Sequence, residues 1–141
     1  MPTKIVYSIS ATAHGGGRDG QAKTEDGAID LKMRPPKEMG GSGDGANPEQ
    51  LFATGYAACF LGAMRHYAGQ KKVEIPDDAS VTAEVGIGPR EDTGFGLSVS
   101  IKVSLPGMDR ATAEDIVAGG HEVCPYSNAL TKGVSVTPEL A

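Results

Sequence analysis

Apolar and polar residues alternate from the start of the chain: Ile5, Tyr7 and Ile9 interleave with Val6, Ser8 and Ser10, which predicts a first strand. The run Gly15-Gly16-Gly17-Arg18-Asp19-Gly20 then turns the chain. Gln21–Thr24 and Ile29–Met33 follow as short strands about the Asp26-Gly27 turn signal, completing a small antiparallel meander. The pattern changes at Asn47. Asn47 suits a helix N-cap, Pro48 the first helical position, and Gln50 a reciprocal bond back to the cap. Apolar and small residues continue to Ala68, Gly69 offers a stop, and Arg65 and His66 suit a last turn. A helix this apolar all round is expected to be buried on most sides, placing Cys59 in a core.

After the break at Ile75-Pro76-Asp77-Asp78, alternation resumes. Val81, Ala83, Val85 and Ile87 form one face, and Leu97, Val99, Ile101, Val103 and Leu105 another, across a polar turn from Pro89 to Gly96. This predicts a long hairpin, closed by Pro106-Gly107. Asp109 or Thr112 caps a second helix running to about Val123, and Pro125 limits it at Cys124. Its Gly119-Gly120 pair costs about 1 kcal/mol per residue relative to alanine, so it marks a close packing contact. A turn at Ser127-Asn128 and a last strand over Val134–Thr137 finish the pattern. The order predicts an α+β fold with antiparallel sheet against two helices.

Length and composition narrow the function. A chain of 141 residues is expected to be a single domain, 1–141, with a real core. A net charge of −5 with no basic block argues against nucleic acid as a partner. No run of 18 apolar residues and no leader pattern is present, so the chain is expected in the cytoplasm with no membrane partner. Two cysteines 65 positions apart in a reducing compartment do not read as a structural staple. They are either two inert core thiols or a redox pair.

The two thiols differ in setting. Cys59 lies twelve positions after Asn47, beyond the helix turn whose field favours an anion, and burial raises a thiol's pKa. If Cys59 reacts, a cation must be brought to it. Cys124 falls at the C-terminal end of the second helix, where the field opposes a thiolate, which makes it the poorer attacker and the better resolving partner. Arg18, flanked by glycines, is the candidate cation, against the plainer reading of a solvated loop arginine. Glu49 at the second helical position is explained well enough by dipole compensation. Phosphate-loop and dinucleotide patterns are missing, and His66 lies two helical turns from Cys59, too far to act as its base. A metal set of Cys59, His121 and Cys124 has no support from spacing.

Three stretches together carry a resemblance. Asn47-Pro48-Glu49-Gln50-Leu51-Phe52-Ala53 with Gly55-Tyr56 and Ala58-Cys59-Phe60 is similar to the first cysteine motif of the organic hydroperoxide resistance (Ohr) branch of the Ohr/OsmC superfamily. Gly16-Gly17-Arg18-Asp19-Gly20 resembles its arginine loop, and Val123-Cys124-Pro125-Tyr126-Ser127-Asn128-Ala129 its second cysteine motif. The resemblance implies an intertwined homodimer with central helices between sheets and sites at the subunit interface. It also implies a cysteine-based peroxidase with no bound metal or cofactor, reduced by the dihydrolipoyl thiols of a lipoylated protein. Carried over, Cys59 is the peroxidatic thiol, Cys124 the resolving one, Arg18 the stabiliser of the thiolate and Glu49 its anchor. The expected substrate is an organic or fatty-acid hydroperoxide held by Phe52, Tyr56, Phe60, Met64 and Tyr126. The alternatives are an OsmC-type peroxidase of broader range and a lipid or small-molecule binding module with inert thiols.

Helix geometry adds one expectation to the roles that the resemblance implies. Glu49 and Cys59 are ten residues apart on the predicted helix, roughly 15 Å along its axis and about 80° around it. An arginine bound to that glutamate could not also reach that thiol, so each site is expected to take Glu49 from the partner subunit.

Overall fold

The computed structural model describes all 141 residues. The chain forms two compact units, Met1–Phe52 and Ala53–Ala141.

The first unit is a three-stranded antiparallel meander, β1 (Ala11–Gly15), β2 (Gly20–Thr24) and β3 (Asp30–Met33), followed by a short 3-10 turn at Lys37–Met39. Gly15 pairs with Gly20 to close the first hairpin, and Gly16 N–H donates to the Asp19 carbonyl at 3.0 Å across its tip. Gly15 and Gly17 have φ of +71° and +70°, and a Cβ on Gly20 would run into the His14 carbonyl. Glycine is therefore dictated by the backbone on both sides of Arg18. The strand expected over residues 5–9 is not formed. β2 ends at Thr24, opposite Ala11; Glu25 N–H still reaches the Ser10 carbonyl at 2.9 Å, but the chain then turns away through Asp26-Gly27 and leaves residues 5–9 no backbone to pair with. Ile5, Val6, Tyr7 and Ile9 are accordingly exposed.

The helix α1 (Pro48–Gln70) begins as its pattern predicts. Asn47 Oδ1 accepts from Gln50 N–H at 2.9 Å while Gln50 Oε1 accepts from Asn47 N–H at 3.0 Å. Its end differs: Gly69 is helical, and Lys72 takes the left-handed position at φ +58°. Val73 N–H reaches the Ala68 carbonyl and Lys72 N–H the Gly69 carbonyl, which satisfies two terminal acceptors. Arg65 and His66 thus sit a turn before the end. α1 buries one stripe, Tyr56, Phe60, Ala63, Met64 and Ala68, and leaves Leu51 and Ala58 exposed, so burial on most sides does not hold within one chain.

The second unit contains the hairpin β4 (Ser80–Pro89) and β5 (Phe95–Ser104), in register from Ser80↔Ser104 to Pro89↔Phe95. Two further helices follow, α2 (Arg110–Val123) and α3 (Pro125–Lys132), so the chain has three helices rather than two. Asp109 is the α2 cap, accepting from Thr112 N–H at 3.0 Å. Gly119 and Gly120 are buried where a Cβ would meet the Tyr67 ring and Met64, the close contact their cost implied. Neither the turn at Ser127-Asn128 nor the strand at 134–137 is present. Pro125 both stops α2 and starts α3 from its first position, and residues 134–137 continue as exposed chain outside any strand.

Candidate active site

Two groups of side chains stand out, one in each unit. In the first, Arg18 at the crest of the β1–β2 hairpin meets Glu49 on the first turn of α1. Arg18 Nη2 donates to Glu49 Oε1 at 2.6 Å and Nη1 to Oε2 at 3.0 Å, a two-pronged contact that only a guanidinium makes. The hairpin is braced from β3, since Arg34 Nη1 donates to the Gly20 and Met33 carbonyls and Arg34 Nε lies 3.3 Å from Asp19. The Arg18 hydrogen bonds hold the Glu49 carboxyl below its ordinary range, against the opposing effect of burial, and Glu49 in turn raises Arg18. Glu49 therefore does more than compensate the helix dipole.

In the second unit the two thiols meet. Cys59 Sγ and Cys124 Sγ are 3.7 Å apart, close enough that a small approach would join them. Both are free thiols, and the burial expected of Cys59 belongs to Cys124: Cys124 is fully buried, whereas Cys59 is half-buried. Burial is the main cause pushing the Cys59 thiol above its ordinary value, with Cys124 adding to the rise. One group acts the other way. The backbone N–H of Tyr126 favours the Cys59 thiolate.

That N–H belongs to the first turn of α3, whose leading donors have no partner within the helix. Cys124 is the joint. Its N–H closes α2 on the Gly120 carbonyl at 2.9 Å, and its own carbonyl accepts from Asn128 N–H at 2.9 Å to open α3. The field at Cys124 is therefore not that of a helix C-terminus alone, and the expectation on that point is corrected.

The proposed substrate residues fall in different places. Tyr56 and Phe60 form part of the wall of an apolar cleft of about 1010 Å³, facing Val99 and Ile101 of β5 and Val117 and His121 of α2. Met64 is fully enclosed and lies against Gly120, so it is core. Tyr126 is 40% exposed and stacks on Tyr56, ring centroids 5.8 Å apart. Phe52 is half-buried at the end of the first unit.

Residues 41–139 match the family described as OsmC-like protein. An organic hydroperoxide resistance protein of Xanthomonas axonopodis pv. citri is 49% identical over 141 residues, covering 99% of this chain and 98% of its own length. The organic hydroperoxide resistance protein OhrB of Bacillus subtilis is 39% identical, over 96% of this chain and 98% of its own. The crystal structure of such a protein from Legionella pneumophila superposes with a TM-score of 0.86 at 45% identity, covering 92% of this chain and 93% of that one.

The chain belongs to the Ohr branch of the OsmC-like family. In this OsmC-like protein, sequence reasoning missed two groups at the head of α3: the Tyr126 N–H, which acts on Cys59, and the Ser127 hydroxyl, which meets Tyr56. Ser127 Oγ lies 2.7 Å from the Tyr56 hydroxyl, both residues being buried. The signal that could have found Ser127 is spacing, since Tyr56 precedes Cys59 by three residues and Ser127 follows Cys124 by three.

Proposed function

We propose that the protein is a thiol peroxidase that reduces organic hydroperoxides to alcohols. The observation that carries this reading is the 3.7 Å separation of Cys59 and Cys124, two free thiols from distant parts of the chain. The Cys59 thiolate attacks the terminal peroxide oxygen; an S–O bond forms, the O–O bond breaks, and the leaving alkoxide takes a proton to become the alcohol. The Cys124 sulfur then displaces the sulfenic oxygen as water, closing the Cys59–Cys124 disulfide. An external dithiol, in this reading the dihydrolipoyl group of a lipoylated protein, reopens it by exchange and is itself oxidised.

Arg18 supplies the cation that Cys59 lacks within its own unit, and Glu49 fixes the guanidinium. The separation of Glu49 and Cys59 along α1, roughly 15 Å of helix, supports a homodimer in which the Arg18–Glu49 pair of one subunit serves Cys59 of the other. The exposed apolar alternation of Ile5, Tyr7 and Ile9, and of Val134 and Val136, is consistent with strands completed by a second chain. The apolar cleft favours an alkyl or fatty-acid hydroperoxide over hydrogen peroxide.

The test is peroxide consumption with dihydrolipoamide, compared with glutathione and thioredoxin as donors, and with cumene hydroperoxide compared with hydrogen peroxide. Equal efficiency on the two peroxides would favour the broader OsmC-type activity. The rival binding module draws on the same cleft and on the upward push of burial on Cys59. A Cys59 pKa at or above about 8.5 in the intact protein would favour it.

A further inference from the structure

Two links join α1 to the head of α3. One is the thiol pair. The other is the hydrogen bond between the Tyr56 and Ser127 hydroxyls, 2.7 Å apart, with Tyr56 at 4% and Ser127 at 1% exposure. On α1, Tyr56 and Cys59 are offset by three residues and so share a face, while Cys124 is the cap of α3 and Ser127 lies in that helix's first turn, which sets the links side by side. Tyr126, between Cys124 and Ser127, lays its ring on Tyr56, and its hydroxyl comes so near Gly55 that a Cβ there would stand 2.9 Å from it. The head of α3 is thus gripped at Cys124 and again just after Pro125.

Disulfide closure makes a narrow demand on this region. The sulfurs must close from 3.7 Å to a bond of about 2.0 Å, and Cys124 must attack Cys59 from the side opposite its departing oxygen. Nothing in the reaction with peroxide itself needs Cys124 to be held. We infer that Tyr56 and Ser127 are positioning residues for the second half-reaction, holding the Cys124 sulfur on its line of attack. This rests on the peroxidase reading for its chemistry, but the hydrogen bond governs any closure of this thiol pair.

Step-resolved oxidation tests it. With cumene hydroperoxide, Ser127→Ala should form the Cys59 sulfenic acid at the wild-type rate, followed by trapping and mass measurement. Disulfide closure should slow roughly fivefold, the worth of one buried hydrogen bond, and sulfinic acid should accumulate as a second peroxide reaches the waiting sulfur. Tyr56→Phe, which removes a single oxygen, should show the same loss of closure, and the double variant should be no slower than either single. Ser127→Thr, which keeps the hydroxyl, should restore closure. In a peroxide-free arm, oxidised glutathione forms a mixed disulfide on Cys59 and Cys124 displaces glutathione; that step should slow by the same factor. Wild-type closure in both hydroxyl-deletion variants overturns the inference, as does an equal slowing of sulfenic acid formation and closure. If wild-type protein takes no oxygen from cumene hydroperoxide, the peroxidase reading fails, while the glutathione arm still decides the role of the hydrogen bond.

Discussion

Arg18 and Glu49 of one chain clasp each other through both guanidinium Nη atoms and both carboxylate oxygens, at 2.6 and 3.0 Å. Replacing the fork by a point charge keeps the sign and loses the geometry. Arg18→Lys should therefore lower kcat/KM for an organic hydroperoxide by roughly tenfold or more, and Arg18→Ala further still. Steady-state kinetics on the two variants decide it; wild-type efficiency in Arg18→Lys would mean that charge alone suffices.

The same pair gives a pH dependence of fixed sign. The folded protein holds the Glu49 carboxyl below its ordinary range. Its stabilising contribution is then complete above the unfolded glutamate value and is lost as pH falls through the depressed folded one. Glu49→Gln should reduce the slope of stability against pH on the acid side and leave the slope near neutrality unchanged. Denaturant titrations from about pH 7 down to about pH 3, below the ordinary glutamate value, provide the measurement.

If each site draws Arg18 from one subunit and Cys59 from the other, inactive chains should complement. Co-expressed Arg18→Ala and Cys59→Ser should recover roughly a quarter of wild-type activity, since half of randomly paired dimers carry one intact site of two. Each variant alone should be inactive. A mixture with no recovery would place both residues of a site in one chain.

Cys124→Ser separates attack from resolution. It should consume the first equivalent of peroxide at the wild-type rate and then stall with dihydrolipoamide or drift to sulfinic acid. Rapid-quench mass spectrometry resolves the two phases, and loss of the first turnover would reverse the assigned roles.

Packing predictions concern α1 and its neighbours. Gly120→Ala improves helix propensity by about 1 kcal/mol but drives a methyl into Met64, so a net loss of about 1–2 kcal/mol is expected by chemical denaturation. Lys72 holds a left-handed backbone in which glycine is at ease. Lys72→Gly should be neutral or stabilising by up to about 1 kcal/mol, and Lys72→Val destabilising.

What was legible in the sequence follows from how local its causes are. The Asn47–Gln50 cap and the β4–β5 hairpin are specified by neighbouring residues and appear where the pattern puts them, while the Gly119-Gly120 pair announced a close contact but not its distant partners, Tyr67 and Met64. The segments 5–9 and 134–137 alternate as strands do, yet a strand is a relation between two chain segments, and no partner in this chain meets them. α3 was hidden because one proline does two jobs: Pro125 was read as the end of α2, and it equally suits the first position of the next helix. That omission changed the surroundings of the thiols, since the backbone N–H that favours the Cys59 thiolate comes from the unread helix. Spacing alone left Cys59 and Cys124 as filler or redox pair. Their roles came from family resemblance, and their closeness from the fold.

The Arg18 crest has a consequence for engineering. The left-handed positions of its hairpin fall on Gly15 and Gly17, and the close approach on Gly20, while residue 18 itself carries an ordinary backbone. Shape and reagent are thus written at different positions. A different functional group can be installed at position 18, natural or synthetic, while the glycines go on presenting it from the same mount.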